Sequence, residues 1–143
     1  MKDLYRAEVR VTGGRDGRAR SSDGHLDVAL TLPTALGGAG TATNPEQLFA
    51  AGYGGCFASS VKFAARSQNI TLDSVVVDVA VTVGVDAEGR YGLKAELAVT
   101  APGLAVEAGD AVLREAKRIC AYTNATKGQV PASYTINGVP FHG

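Results

Sequence analysis

A chain of 143 residues with 45% hydrophobic and 20% charged side chains has the composition of an ordinary soluble protein. One domain over 1-143 with a real buried core is expected. Fourteen basic residues balance fourteen acidic ones, which leaves no net field to gather nucleic acid or an anionic membrane. The opening MKDLYRAEVRV lacks the apolar run of a secretory leader, and no stretch approaches the ~18 apolar residues of a membrane span, so a cytoplasmic protein is expected.

Tyr5, Ala7, Val9 and Val11 alternate with charged or polar neighbours, the period of a half-buried strand. Glycines in Gly13-Gly14-Arg15-Asp16-Gly17 end it, and a second strand is expected over Arg18 to Ser22. Asp23-Gly24 is a hairpin turn, and Leu26, Val28, Leu30 and Leu32 alternate in a third strand that Pro33 stops. Residues 34–43 carry no periodicity. Asn44 then caps a helix, Pro45 suits its first position, and Gln47 has capping-box spacing. The spacing predicts a short helix over 45–51, a bend at the glycines, and a longer helix over 55–67 with Phe57, Val61, Ala64 and Ala65 as its apolar stripe.

Alternating valines from Val75 to Val85 predict a long strand, and Asp86 to Gly89 a turn. A partner strand follows, with Tyr91, Leu93, Ala95, Leu97 and Val99 on one face until Pro102-Gly103. Residues 107–122 read as a helix with Val112, Leu113, Ala116, Ile119 and Cys120 on one face, and a last strand runs over 132–139. The order βββ, αα, ββ, α, β argues an α+β fold with antiparallel sheets. Small residues on the first long helix, Ala58, Ser59, Ser60, Ala64 and Ala65, would let another element approach closely, which suits a tightly packed or two-chain centre.

Two cysteines in a chain of this kind are free thiols or a redox pair more often than a structural bridge. Neither His25 nor His142 has ligand spacing to them, so no metal site is expected. Cys56 has two readings: a small buried hydrophobe, or a thiolate stabilised in the first turn of the restarted helix. Helix position alone supplies too little, so the second reading needs a cation. Cys120 reads as core filler, or as a resolving thiol that captures an oxidised partner. Arg15 is a solvated turn residue or the required cation; Glu46 is a helix-dipole acid or a member of the same pocket. The residues alone leave these pairs of readings open.

VTGGRDGRARSSDG at 11–24, NPEQLFAAGYGGCF at 44–57 and CAYTNATKG at 120–128 resemble, in the same order, three signature stretches of the organic hydroperoxide resistance proteins, within the OsmC-like superfamily. The third departs in Ala121 and Thr123, where the family usually has proline and serine. The resemblance covers essentially the whole chain. It implies an OsmC-like fold, an intertwined homodimer with two main helices packed centrally between sheets and active sites at the subunit interface. It further implies a thiol peroxidase that reduces alkyl and lipid hydroperoxides to alcohols. Cys56 would be the peroxidatic thiol, Cys120 the resolving thiol, and Arg15 and Glu46 the pair that activates the site. No metal, haem or flavin cofactor is implied; the co-substrate is a lipoyl-type dithiol carried by lipoylated proteins.

Two other readings compete: a general OsmC-type peroxidase with a broader peroxide range, and a non-catalytic dimeric module that binds an apolar ligand with both cysteines as filler. A redox-sensing regulator is disfavoured, because no DNA-binding element or basic patch is present.

Overall fold

Three short strands, β1 (Val9–Thr12), β2 (Arg18–Ser21) and β3 (Asp27–Ala29), pair antiparallel in that order in the computed structural model, which describes residues 1–143. Val9 stands opposite Ser21 and Arg18 opposite Ala29. The β1–β2 turn closes tightly: a Cβ on Gly17 would lie 1.7 Å from the Thr12 carbonyl oxygen, so only glycine fits there. All four β1 residues are exposed. The alternation that begins at Tyr5 therefore marks a strand without a buried face, because burial needs a covering layer that Met1–Leu48 does not supply over β1. The third strand is also shorter than expected, with Leu30 making an isolated bridge to Thr43.

Helix α1 spans Pro45–Ser67. Asn44 Oδ1 accepts the Gln47 N–H at 2.9 Å, the expected cap. The Gln47 side chain does not reach back; its Oε1 accepts from the Thr43 hydroxyl at 2.7 Å instead.

The chain forms two compact units, Met1–Leu48 and Phe49–Gly143. The second contains the rest of α1, then β4 (Val76–Val85), β5 (Tyr91–Thr100), α2 (Val106–Ile119), α3 (Ala121–Thr126), β6 (Ala132–Ile136) and β7 (Val139–Pro140). Its sheet has the order β4-β5-β6-β7. β4 and β5 form a hairpin from Val76↔Thr100 to Val85↔Tyr91, whereas β6 lies parallel to β5 with Leu97 opposite Tyr134. The sheet is thus mixed rather than antiparallel, because α2 and α3 carry the chain back before β6 and deliver it in the direction of β5. Asn137 and Gly138, at φ 48° and 81°, make a tight turn into β7, so the last predicted strand is two.

The core of this unit joins Tyr53, Phe57, Val61, Ala64 and Ala65 of α1 to Ala95, Leu97 and Val99 of β5. Val112, Leu113 and Ala116 of α2 and Tyr134 and Ile136 of β6 complete it. Full burial of each large aliphatic side chain contributes ~1.5–3 kcal/mol. The architecture is α+β.

The predicted bend in α1 is absent: the helix runs unbroken through Gly52, Gly54 and Gly55. Two of these glycines serve close packing instead of a break. A Cβ on Gly52 would lie 2.5 Å from the Tyr122 hydroxyl oxygen, and one on Gly54 would lie 3.0 Å from a Val79 methyl. Tertiary packing outweighs the ~1 kcal/mol that each glycine costs a helix interior.

Candidate active site

The β1–β2 turn presents Arg15, and Asp16 beside it accepts the Leu32 N–H at 3.3 Å, which pins the turn. Arg15 Nη1 donates to Glu46 Oε2 at 2.9 Å and Nη2 to Oε1 at 2.6 Å. This is a planar fork on a carboxylate, a geometry that lysine cannot reproduce. The Glu46 side chain is 14% exposed and that of Arg15 40%. Hydrogen bonds from Arg15 hold the Glu46 carboxyl below the usual carboxylate range, against a smaller opposing effect of burial.

Cys56 lies about three turns beyond Pro45 in the unbroken helix, too far from its first turn for the helix dipole to act on the sulfur. That overturns the expected placement at a restarted helix terminus. Cys120, expected inside a helix over 107–122, falls at a break between α2 and α3, with an extended φ of −68° and ψ of 121°. The break turns its side chain into the core, where it is fully buried, while Cys56 is part-exposed. The two Sγ atoms are 3.4 Å apart and both thiols are free. An S–S bond of ~2.05 Å requires them to close by about 1.4 Å. A separation of 64 positions in sequence thus closes to contact in space.

Burial pushes the Cys120 thiol up. The Thr123 backbone and hydroxyl, the Cys56 thiol and the Tyr122 backbone together outweigh it and leave the thiol below its ordinary value. The sulfur makes no side-chain capping hydrogen bond to α3; its hydrogen bond runs to the Cys56 sulfur.

A buried cluster of hydroxyls adjoins the pair. The Tyr53 and Tyr134 hydroxyls are 2.8 Å apart, and Tyr53 Oη is 3.2 Å from Thr123 Oγ1. Burial and the bond to Tyr53 push the Tyr134 phenol well above its ordinary value, so it stays protonated. Tyr122 stacks on Tyr53 with ring centroids 5.7 Å apart. Sequence reading missed this cluster. Its members come from α1, α3 and β6, and the only local signal is tyrosine where phenylalanine would suffice at a buried position. A cleft of about 530 Å³, lined partly by Lys117, Thr123, Lys127 and Tyr134, opens beside it. No group of three or more His, Cys, Asp or Glu side chains is placed to hold a metal ion, and no helix is long and apolar enough to cross a membrane.

A family model described as OsmC-like protein matches residues 38–135. An organic hydroperoxide resistance protein of Xanthomonas axonopodis pv. citri (strain 306) is 42% identical over 137 residues, covering 94% of this chain and 96% of that one. This chain belongs to the OsmC-like family, in its organic hydroperoxide resistance group. The crystal structure of an organic hydroperoxide resistance protein OsmC from Legionella pneumophila agrees with a TM-score of 0.90 at 37% identity, over 94% of this chain and 98% of that one. OhrB of Bacillus subtilis agrees with a TM-score of 0.86 at 35% identity, over 94% and 100%. The OsmC-like match takes in Glu46, Cys56, Cys120 and the three hydroxyl residues, while Arg15 falls before it.

Proposed function

We propose that this chain is a cysteine peroxidase that reduces organic hydroperoxides to alcohols. The observation that carries the reading is the part-exposed Cys56 sulfur 3.4 Å from the buried Cys120 sulfur, both reduced. The relatives' names supply the substrate class.

The Cys56 thiolate attacks the outer oxygen of R–O–O–H. The O–O bond breaks, the departing alkoxide takes a proton to become the alcohol, and Cys56 is left as a sulfenic acid. Cys120 then attacks that sulfur. The S–O bond breaks, hydroxide leaves as water, and a 56–120 disulfide forms before further oxidation. A lipoyl-type dithiol restores both thiols by two exchanges and is itself oxidised to a disulfide. Arg15, fixed by Glu46, is proposed to stabilise the thiolate and the developing alkoxide charge. The proposed setting is cytoplasmic and the proposed assembly a homodimer. The latter is supported by apolar side chains left uncovered on the single chain, Leu4 at 89%, Tyr5 at 82% and Phe63 at 54% exposure.

Addition of one equivalent of cumene hydroperoxide to the reduced protein tests the reading. Loss of both thiols and a peptide pair cross-linked between residues 56 and 120 are expected. Thiols that persist while the peroxide is unconsumed would return both cysteines to core filler.

A further inference from the structure

We infer that the cleft walled by α2, β6 and the chain after α3 binds a small, multiply charged oxyanion, a phosphate or a dicarboxylate, through Arg114, Lys117 and Lys127. None of these is among the residues proposed for peroxide reduction, so the inference stands apart from that reading.

The cleft holds about 530 Å³, and no Asp or Glu side chain lines it. That volume lies in the range of small-ligand sites. Arg114, Lys117 and Arg118 reach it from one face of α2, at the spacing that makes helical side chains neighbours. Lys127, directly after α3, adds a fourth cation. Cations in the last turn of a helix are ordinarily solvated and favoured by the dipole alone. Arg118 fits that description, because both carboxylate oxygens of Glu115 accept from it, at 2.6 and 2.7 Å. It is the only one of the four that forms an ion pair with an Asp or Glu side chain.

Lys117 is the least ordinary of the others. It is part-buried, and its ammonium lies 4.8 Å from the centroids of both the Tyr134 and Phe141 rings. The Arg114 guanidinium stands 5.5 Å over Phe141. Aromatic faces attract a cation but carry no net negative charge. Burial, with the like charges of Arg114 and Lys127, holds the Lys117 ammonium below its ordinary value. Three uncompensated positive charges thus meet at one concave place. Neutral donors there are already engaged: the Asn124 amide donates to the Arg118 carbonyl at 3.0 Å, and the Thr126 hydroxyl to the Tyr122 carbonyl at 2.8 Å. Recognition therefore falls to charge, and three cations favour a dianion over a monoanion. An oxygen atom marks the point of contact. Lys117 Nζ donates to the Gly143 oxygen at 2.5 Å, and a Cβ on Gly143 would lie 2.7 Å from Arg114 Nη1. A ligand oxygen would replace the Gly143 oxygen beside both cations.

Calorimetric titration of the full chain with sodium phosphate and with sodium succinate, at slightly alkaline pH, tests this. Sodium chloride fixes the ionic strength, because exposed charges are screened over ~10 Å at 0.1 M salt. Saturable one-to-one binding of at least one dianion is expected, and the tighter of the two names the ligand class. Acetate should bind at least about tenfold more weakly. Lys117→Met keeps the stem against the rings and removes the charge, and affinity should fall about tenfold or more. Lys127→Gln, at an exposed position, should lower affinity several-fold without touching the core. Joint replacement Glu115→Gln and Arg118→Gln removes a neutralised pair and should leave affinity within about twofold. Absence of saturable dianion binding overturns the inference, as does acetate binding as tightly as succinate. An equal loss in the joint 115 and 118 replacement and in Lys127→Gln also overturns it, since a diffuse field and not a site would then be at work.

Discussion

Replacement of Gly52 by alanine sets two effects of similar size against each other. In an open helix interior the change gains ~1 kcal/mol. Here the new Cβ would lie 2.5 Å from the Tyr122 hydroxyl oxygen and 3.1 Å from the carbon that bears it. The ring must retreat by about 1 Å to reach ordinary contact. Tyr122 stacks on Tyr53 at 5.7 Å and meets Phe49 edge-on at 6.1 Å, so its retreat loosens two aromatic contacts. Each is worth ~0.5–1.5 kcal/mol. The net effect of Gly52→Ala is therefore expected to lie between neutral and ~1 kcal/mol destabilising. In a Tyr122→Ala background the obstacle is gone, and the same change should stabilise by ~1 kcal/mol. Urea unfolding of the four proteins in this cycle should return a coupling energy of ~1–2 kcal/mol. Coupling below ~0.5 kcal/mol, the level of independent sites, would refute the view that Gly52 is glycine to admit Tyr122.

Glu46→Gln should lower stability by ~0.5–1 kcal/mol at neutral pH, a figure kept small because Arg15 is 40% exposed. The folded carboxyl titrates below its unfolded value, so its contribution is complete above about pH 4.3 and fades as pH falls through the lower folded value. The gap between wild type and variant in pH-dependent unfolding should close in acid; a constant gap would refute the charge pairing. Arg15→Lys keeps the charge but loses the fork, and stopped-flow peroxide reduction should slow several-fold or more, unchanged kinetics ruling the fork out of the reaction. Cys120→Ser should complete one turnover and then accumulate a Cys56 sulfinic acid by mass spectrometry, and normal cycling with a dithiol would remove its resolving role.

Local chemistry was enough for the elements whose signals are local. The side chain of Asn44 caps α1, Ala95, Leu97 and Val99 face the core from β5, and Phe57, Val61, Ala64 and Ala65 do so from α1, as period and capping residue types required. The α+β class followed from the order of such elements. The resemblance paired Arg15 with Glu46, and the fork between them is present.

What periodicity could not contain is anything decided between distant segments. Glycines at 52, 54 and 55 read as a break because propensity sees only the chain itself, yet Tyr122 and Val79 arrive from elsewhere and use the space they leave. The helical stripe through Cys120 continued on paper, while α2 ends at Ile119 and the change of direction turns the sulfur toward Cys56. β6 reads the same whether it pairs parallel or antiparallel, and only the path of α2 and α3 settles its direction. Tyr53, Thr123 and Tyr134 each satisfy local rules as ordinary packed residues. Their hydroxyls meet because buried polar atoms must find partners, a requirement that belongs to the folded core and not to any stretch of sequence.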